Sequence, residues 1–266
     1  MSVLESEPIG NFFKNLDELL GRLKITIIFF LIIFFGTFLI GPTRVNWLGY
    51  DGYLPLPNFF NSFSVLLLRF IESTLVPKGM ILINVAPFDI VVSDVYVALS
   101  LSISLTMPVM VYQVFKFATP GMYLKERRAV RFSLLPIAVL FIAGVLFAYI
   151  LIIPLLLHVI YEFALNLKVE PTMGIKDFVS IILLISVGMG VIFETPVIIV
   201  TLSYLRIVKP DFWFRQWRYA IIGAFFAALL ISPGATGGIM ETTIATIIII
   251  LYFAGALVAR RFYRKE

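Results

Sequence analysis

The sequence predicts an all-α polytopic membrane protein. Six helices cross the bilayer with both termini cytoplasmic, as a concave bundle of kinked helices whose fifth and sixth members are short. Three observations carry that expectation. Hydrophobic residues fill 61% of the 266 positions and charged residues only 14%, with a mean hydropathy of +1.02, whereas a soluble domain is about one-quarter charged. Apolar runs long enough for a core of roughly 30 Å recur along the chain. The 21 lysines and arginines also divide unevenly between the two sides that six crossings define, which is the bias that orients membrane proteins.

In chain order, "SEPIGNFFKNLDELLGRLK" is too polar for a cleavable signal peptide and reads as an amphipathic cytoplasmic helix leading into a first span at about 23–41. Residues 42–88 form an extracytoplasmic cap. Within it, "LPNFFNSFSVLLLRFIESTLVP" is apolar but carries Asn61, Arg69 and Glu72. Phe60, Phe63, Leu67, Phe70 and Ile71 recur at helical spacing, as in an amphipathic helix lying on or against the bundle. Spans at about 90–115, 132–157 and 177–204 follow, then weaker ones at 219–231 and 239–258; the whole chain, 1–266, reads as one membrane domain. The cytoplasmic segments hold 16 of the basic residues, among them Lys14, Arg22, Lys125, Arg127, Arg206 and Arg260, and the opposite side holds Arg44, Arg69, Lys78, Lys168 and Lys176. The net charge of +5 therefore records topology and implies no nucleic-acid partner.

Proline within the spans, at Pro108, Pro154 and Pro196, removes a helical N–H and kinks each helix. Tyr219–Ile231 and the clearly apolar part of the last span, Ile244–Ala259, reach only about 20 and 24 Å as helices. They predict locally thinned membrane around this hairpin. The absence of cysteine excludes disulfides and thiolate chemistry. The lone His158 makes no metal site. With no phosphate-binding glycine loop and no nucleophile and base pair, the chain reads as no enzyme and as needing no cofactor or metal.

Polar groups in the wrong places are the functional candidates. Glu194 sits in "GVIFETPVIIV", where a carboxylate at mid-membrane costs roughly 2.5 kcal/mol or more. Pro196 frees the carbonyl of Ile192 beside it. Glu194 is either a functional polar site or a protonated packing contact to a neighbouring helix. On the cytoplasmic side Glu18 and Glu126 stand among cations, as receptor groups or as surface neutralisation.

These same stretches resemble the TatC family, the multi-spanning subunit of the twin-arginine protein translocase. "NLDELLGRL" is similar to the family's H-L-x-E-L-R-x-R-L, with Asn15 in place of the histidine and Leu20 in place of the first arginine. Pro120, Gly121, Met122, Tyr123, Glu126, Arg127 and Arg128 follow its P-(G/A)-L-Y-x-x-E-R-R. "MPVMVYQVFKF", "LFIAGVLFAYILIIP" and "GVIFETPVIIV" resemble three further patterns, in family order. The carboxyl end departs: "SPGATGGIM" has Ala235 and Ile239 where T-P-P-D and a following glutamine are common, and Phe253 replaces an acid of the last span.

The resemblance implies a receptor in the cell membrane that binds twin-arginine signal peptides of folded cargo proteins and exports them. The binding set would be Glu18, Arg22, Phe117, Pro120, Tyr123, Glu126 and Arg127. Glu194, Pro196 and Tyr149 would form an intramembrane site for single-span partners like TatA and TatB, within a homo-oligomeric receptor. The alternative is a proton-coupled secondary transporter using Glu194. Against it stand the lack of an internal repeat and of a second charged span.

Overall fold

In the structure, a computed structural model, the backbone is described for residues 6–47, 50–118, 124–232, 234 and 236–263. Side chains are described for 17, 20–45, 52–114, 116–117, 135–232, 234 and 236–263.

A chain this apolar makes helices wherever its backbone groups would otherwise lie unpaired in lipid. The first, α1 (Ser6–Leu39), continues for 34 residues from the polar leader into the first apolar run. It packs along α3 (Asp89–Ala118), which begins where the Asp89 carboxylate accepts from the Ala86 N–H at 2.9 Å. Next come α4 (Leu124–Phe147), five residues of wider π-type turn (Ala148–Ile152), and α5 (Ile153–Asn166). Together they are one helical rod of 24, 5 and 14 residues, about 64 Å long at the usual rise. That is twice the thickness of the hydrocarbon, so the three segments together exceed a single crossing.

The return path is broken. The α6 helix (Ile175–Phe193) stops at Glu194 and α7 (Thr195–Tyr204) starts beyond it with Pro196 in its first turn. A short α8 (Pro210–Arg215) leads into α9 (Trp217–Ile231) and α10 (Ile239–Tyr263). Five helical segments, Leu20–Leu39, Asp89–Val114, Leu135–Asn166, Ile175–Tyr204 and Ile239–Tyr263, are long and apolar enough to cross a membrane, and α9 is a shorter apolar helix. The expectation of two short helices at the end is therefore corrected. With 15 residues α9 reaches only about 22 Å, but α10 has 25 residues and reaches about 37 Å. Its first turn, polar in sequence, is helical, and Glu241 there accepts hydrogen bonds from Ser232 and Thr236.

The region expected as a cap contains strands as well as a helix. Between α1 and α3, β1 (Ile40–Trp47) pairs antiparallel with β2 (Tyr50–Pro57), with Thr43 opposite Leu54. Gly41 lies against the backbone of Asn61, where a Cβ would overlap the carbonyl. Then α2 (Phe63–Leu75) starts under Ser62, whose Oγ accepts from the Val65 N–H at 3.3 Å. Of the five residues expected to make its apolar face, only Ile71 is buried. The packed face is Ser64, Leu68, Ile71 and Leu75, while Phe60, Phe63 and Phe70 are exposed. Aromatic bulk therefore marks the outward side. Parallel β3 (Ile81–Ile83) and β4 (Thr172–Gly174) join this region to the far end of the rod.

The core lies where α2, the π segment, α5, α6, α9 and α10 meet, around Ile152, Leu156, Phe178, Ile185, Met189 and Ile244. Glycine permits the closest crossing. A Cβ on Gly144 would meet the Met189 carbonyl at 2.5 Å, and one on Gly190 would meet the Phe141 ring at 2.7 Å, so α4 and α6 approach almost backbone to backbone.

Candidate functional site

Glu194 is the joint between α6 and α7, where the candidate span Ile175–Tyr204 divides into two helices. Its N–H turns back to the Val191 carbonyl at 3.1 Å, and its carbonyl accepts from the Ile198 N–H at 3.0 Å. The N–H that Pro196 lacks is thus absorbed by a tight turn rather than by a kink within a continuous helix. The joint is held by α10, because Gly255 has no side chain to fend off Pro196: a Cβ there would lie 2.7 Å from the Pro196 Cα.

The Glu194 side chain is 5% exposed, and its Oε1 has no hydrogen-bond partner among the described residues. The Tyr149 hydroxyl is buried in the same condition within the π segment. The Phe147 and Phe193 rings meet at 5.4 Å, bringing the start of that segment against the residue before Glu194, while Phe70 of α2 stacks on Tyr149 at 6.4 Å. Phe147 also faces an open groove of about 760 Å³ that runs along the first turns of α10, past Thr242 and Thr246. Those hydroxyls donate to carbonyls of their own helix, Thr242 to Gly238 and Thr246 to Thr242, each at 2.7 Å, so the groove presents a helix face with no unmet donor there.

Two acids that sequence reasoning passed over are buried in spans. Asp94, in the second turn of α3, is 4% exposed, and its carboxyl lies beside the Ser64 hydroxyl of α2, outside good hydrogen-bond geometry. Further along the same face of α3 lie Ser102 and Thr106, both buried, and the Thr106 hydroxyl is unpartnered among the described residues. Asp94 thus places a second buried acid in a span, near its end rather than at its middle. Glu241, 6% exposed, accepts from Ser232 Oγ at 2.7 Å and from Thr236 Oγ1 at 3.1 Å. It ties the start of α10 to the end of α9. An acid is therefore present in this hairpin, two residues beyond Ile239.

Of the other sequence candidates, Phe117 is partly buried in the last turn of α3 and Arg22 is partly buried in α1. The side chains of Glu18, Glu126 and Arg127, and all of Pro120 and Tyr123, lie outside the described residues. No cluster of three His, Asp or Glu residues that could hold a metal occurs among the described residues.

A family model for the Sec-independent protein translocase protein (TatC) matches residues 14–246. The Sec-independent protein translocase protein TatC of Cenarchaeum symbiosum (strain A) is 30% identical over 256 residues, covering 96% of each chain. TatCy of Bacillus subtilis (strain 168) is 33% identical over 169 residues, 63% of this chain and 65% of its own. The crystal structure of a twin-arginine translocase receptor, TatC, superposes with a TM-score of 0.75 at 24% identity, covering 93% of this chain and 99% of that one. Its fold is the fold described here. The family match, the near full-length archaeal relative and the shared architecture establish that this multi-pass membrane chain belongs to the TatC family and is a component of the twin-arginine translocase.

Proposed function

We propose that this chain is the signal-peptide receptor of its translocase, binding paired arginines on the cytoplasmic face and seating single-span partners of the TatA and TatB kind against the Glu194 hinge. The observation that carries the reading is Glu194 itself: a buried carboxyl at a helix break, with one oxygen unpaired among the described residues. A partner helix bearing a hydrogen-bonding side chain would satisfy it where lipid cannot. Glu18 and Glu126 are the proposed arginine receptors, because a carboxylate accepts the guanidinium fork bidentately and lysine cannot copy that geometry. Arg22, Phe117, Pro120, Tyr123 and Arg127 complete the proposed binding surface. In the assembled receptor the chain is proposed to be homo-oligomeric.

Photocrosslinking from a twin-arginine signal peptide tests the first half. Glu18→Ala and Glu126→Ala should each weaken capture about tenfold or more, since a hydrogen bond to charge is worth roughly 1.5–3 kcal/mol. Glu126→Lys should abolish it by repulsion. Unchanged capture by the double alanine variant would remove both acids from the receptor site.

The proton-coupled transporter is kept as the second reading because of Asp94. A second buried acid in a different span, with only a serine hydroxyl beside it, is what such a reading needs.

A further inference from the structure

At the basic end of the bundle, one short helix is pinned so that it separates a charged groove from an aromatic one. The α7 helix closes with the Ile207 N–H on the Leu202 carbonyl at 3.1 Å and Arg206 in the left-handed region at φ 57°. Lys209 then caps α8. Trp213 fixes that helix in place: its Nε1–H donates to Ser203 Oγ at 2.9 Å, and its carbonyl accepts from the Tyr252 hydroxyl at 2.8 Å. The Trp213 and Tyr252 rings also meet edge to face at 6.1 Å. With Trp213 held against α7 and α10, Phe212 and Arg215 are left exposed.

On one side of Phe212 is an open groove of about 690 Å³, lined by Ile207, Val208, Lys209, Asp211 and Arg215. On its other side a recess of about 420 Å³ runs past Trp213, Gln216, Tyr219, Ala220 and Tyr252 and contains no charged residue. Tyr252 lies 11 residues before the end of α10 at Tyr263, which places the recess floor roughly 16 Å from that end. Two cations and one acid leave the groove positive. The nearby Arg218 and Arg260 guanidiniums rest over the Trp217 and Phe214 rings, at 5.6 and 5.8 Å, whereas no such ring contact engages Lys209 or Arg215 among the described residues.

A ligand that fills both sides of Phe212 must be anionic at one end and apolar at the other. The recess is walled by two apolar helices, α9 and α10, in a chain that lies in the bilayer. We infer that α8 and its two grooves bind an anionic glycerophospholipid, its headgroup phosphate between Lys209 and Arg215 and an acyl chain in the recess beside Tyr219 and Tyr252. Basic residues at the membrane surface and aromatic residues at the headgroup level are the physical basis of such recognition. The site shares no residue with the Glu194 hinge or with the proposed arginine receptors.

The chain has three tryptophans, and one of them, Trp213, lines the recess. The full chain carrying Trp47→Phe and Trp217→Phe, in nanodiscs, leaves Trp213 as the only tryptophan reporter. Phosphatidylglycerol with brominated acyl chains should quench it at roughly one-tenth or less of the mole fraction needed with brominated phosphatidylcholine. Lys209→Gln with Arg215→Gln should bring the two lipids to parity. Equal quenching by both lipids in the parent, or a preference unchanged in the double variant, would overturn the site. Millimolar inorganic phosphate should leave the quenching unaffected; full competition by it would assign the groove to a soluble phosphate and overturn the lipid.

Discussion

Glu194, Asp94 and Glu241 are three buried acids in three different conditions, and what a substitution does should follow the condition. Glu241 is satisfied by Ser232 and Thr236, Asp94 has only the Ser64 hydroxyl beside it, and one oxygen of Glu194 has no partner among the described residues. At Glu194, hydrogen-bonding capacity rather than charge is the proposed requirement. Glu194→Gln should therefore retain most co-purification of single-span partners and most export, while Glu194→Leu should lose both. Equal loss in the two variants, with the protein still inserted and folded, would favour a proton carrier, because glutamine cannot take that role. The sequence made Glu194 legible because it stands in the middle of an apolar run. Asp94 and Glu241 were not legible because each lies within a turn or two of a helix end, where an acid usually flanks a span in water. Only packing by α2 in one case, and the turn at Ser232–Thr236 in the other, buries them.

At the level of elements, hydropathy located the apolar stretches but could not foresee how neighbours alter their ends. The final helix is longer than its apolar content, with Glu241 paired in its first turn, and the fourth span is two helices because Glu194 and Pro196 make a turn. The β1–β2 hairpin carries Pro42 and Pro55 opposite one another, and proline lowers the strand signal of any segment that contains it. The amphipathic α2 was recognised from its period; its aromatic side, Phe63 and Phe70, lies outward, and Ser64 shares the packed side with Leu68, Ile71 and Leu75. Packing at the hinge gives a contrast between two glycines. Gly255→Leu must force α10 away from Pro196, whereas Gly223→Leu on α9 meets nothing within 4 Å. Overpacking costs about 1–3 kcal/mol, so thermal unfolding of the purified protein should fall by several degrees for Gly255→Leu. It should hardly change for Gly223→Leu, and equal shifts would dissociate the hinge from this contact.

For the molecule as a whole, the charge asymmetry and the order of apolar stretches were enough to read a multi-pass helical bundle, and the family motifs were enough to read its kind. The crossing of the last hairpin is a separate matter, since Arg215 and Arg218 before it and Arg260 and Arg261 after it would suit a re-entrant loop equally well. A single introduced cysteine tests it in a chain that has none. Thr236 is buried and hydrogen-bonded to Glu241, so the exposed Ile239 is the better position. Ile239→Cys should react with an impermeant maleimide added outside intact cells; reaction only in inverted vesicles would replace two crossings by a loop that returns to the cytoplasm. The rod formed by α4, the π turn and α5 then has a mechanical meaning. It runs as consecutive helical segments from Leu124, two residues before Glu126, to Asn166, just before β4 pairs with β3. Moving as one body about 64 Å long, it would turn a tilt of about 5° into roughly 5 Å of travel at its far end. A peptide that rocks the inner end would thereby announce itself on the opposite surface before any part of it had entered the membrane.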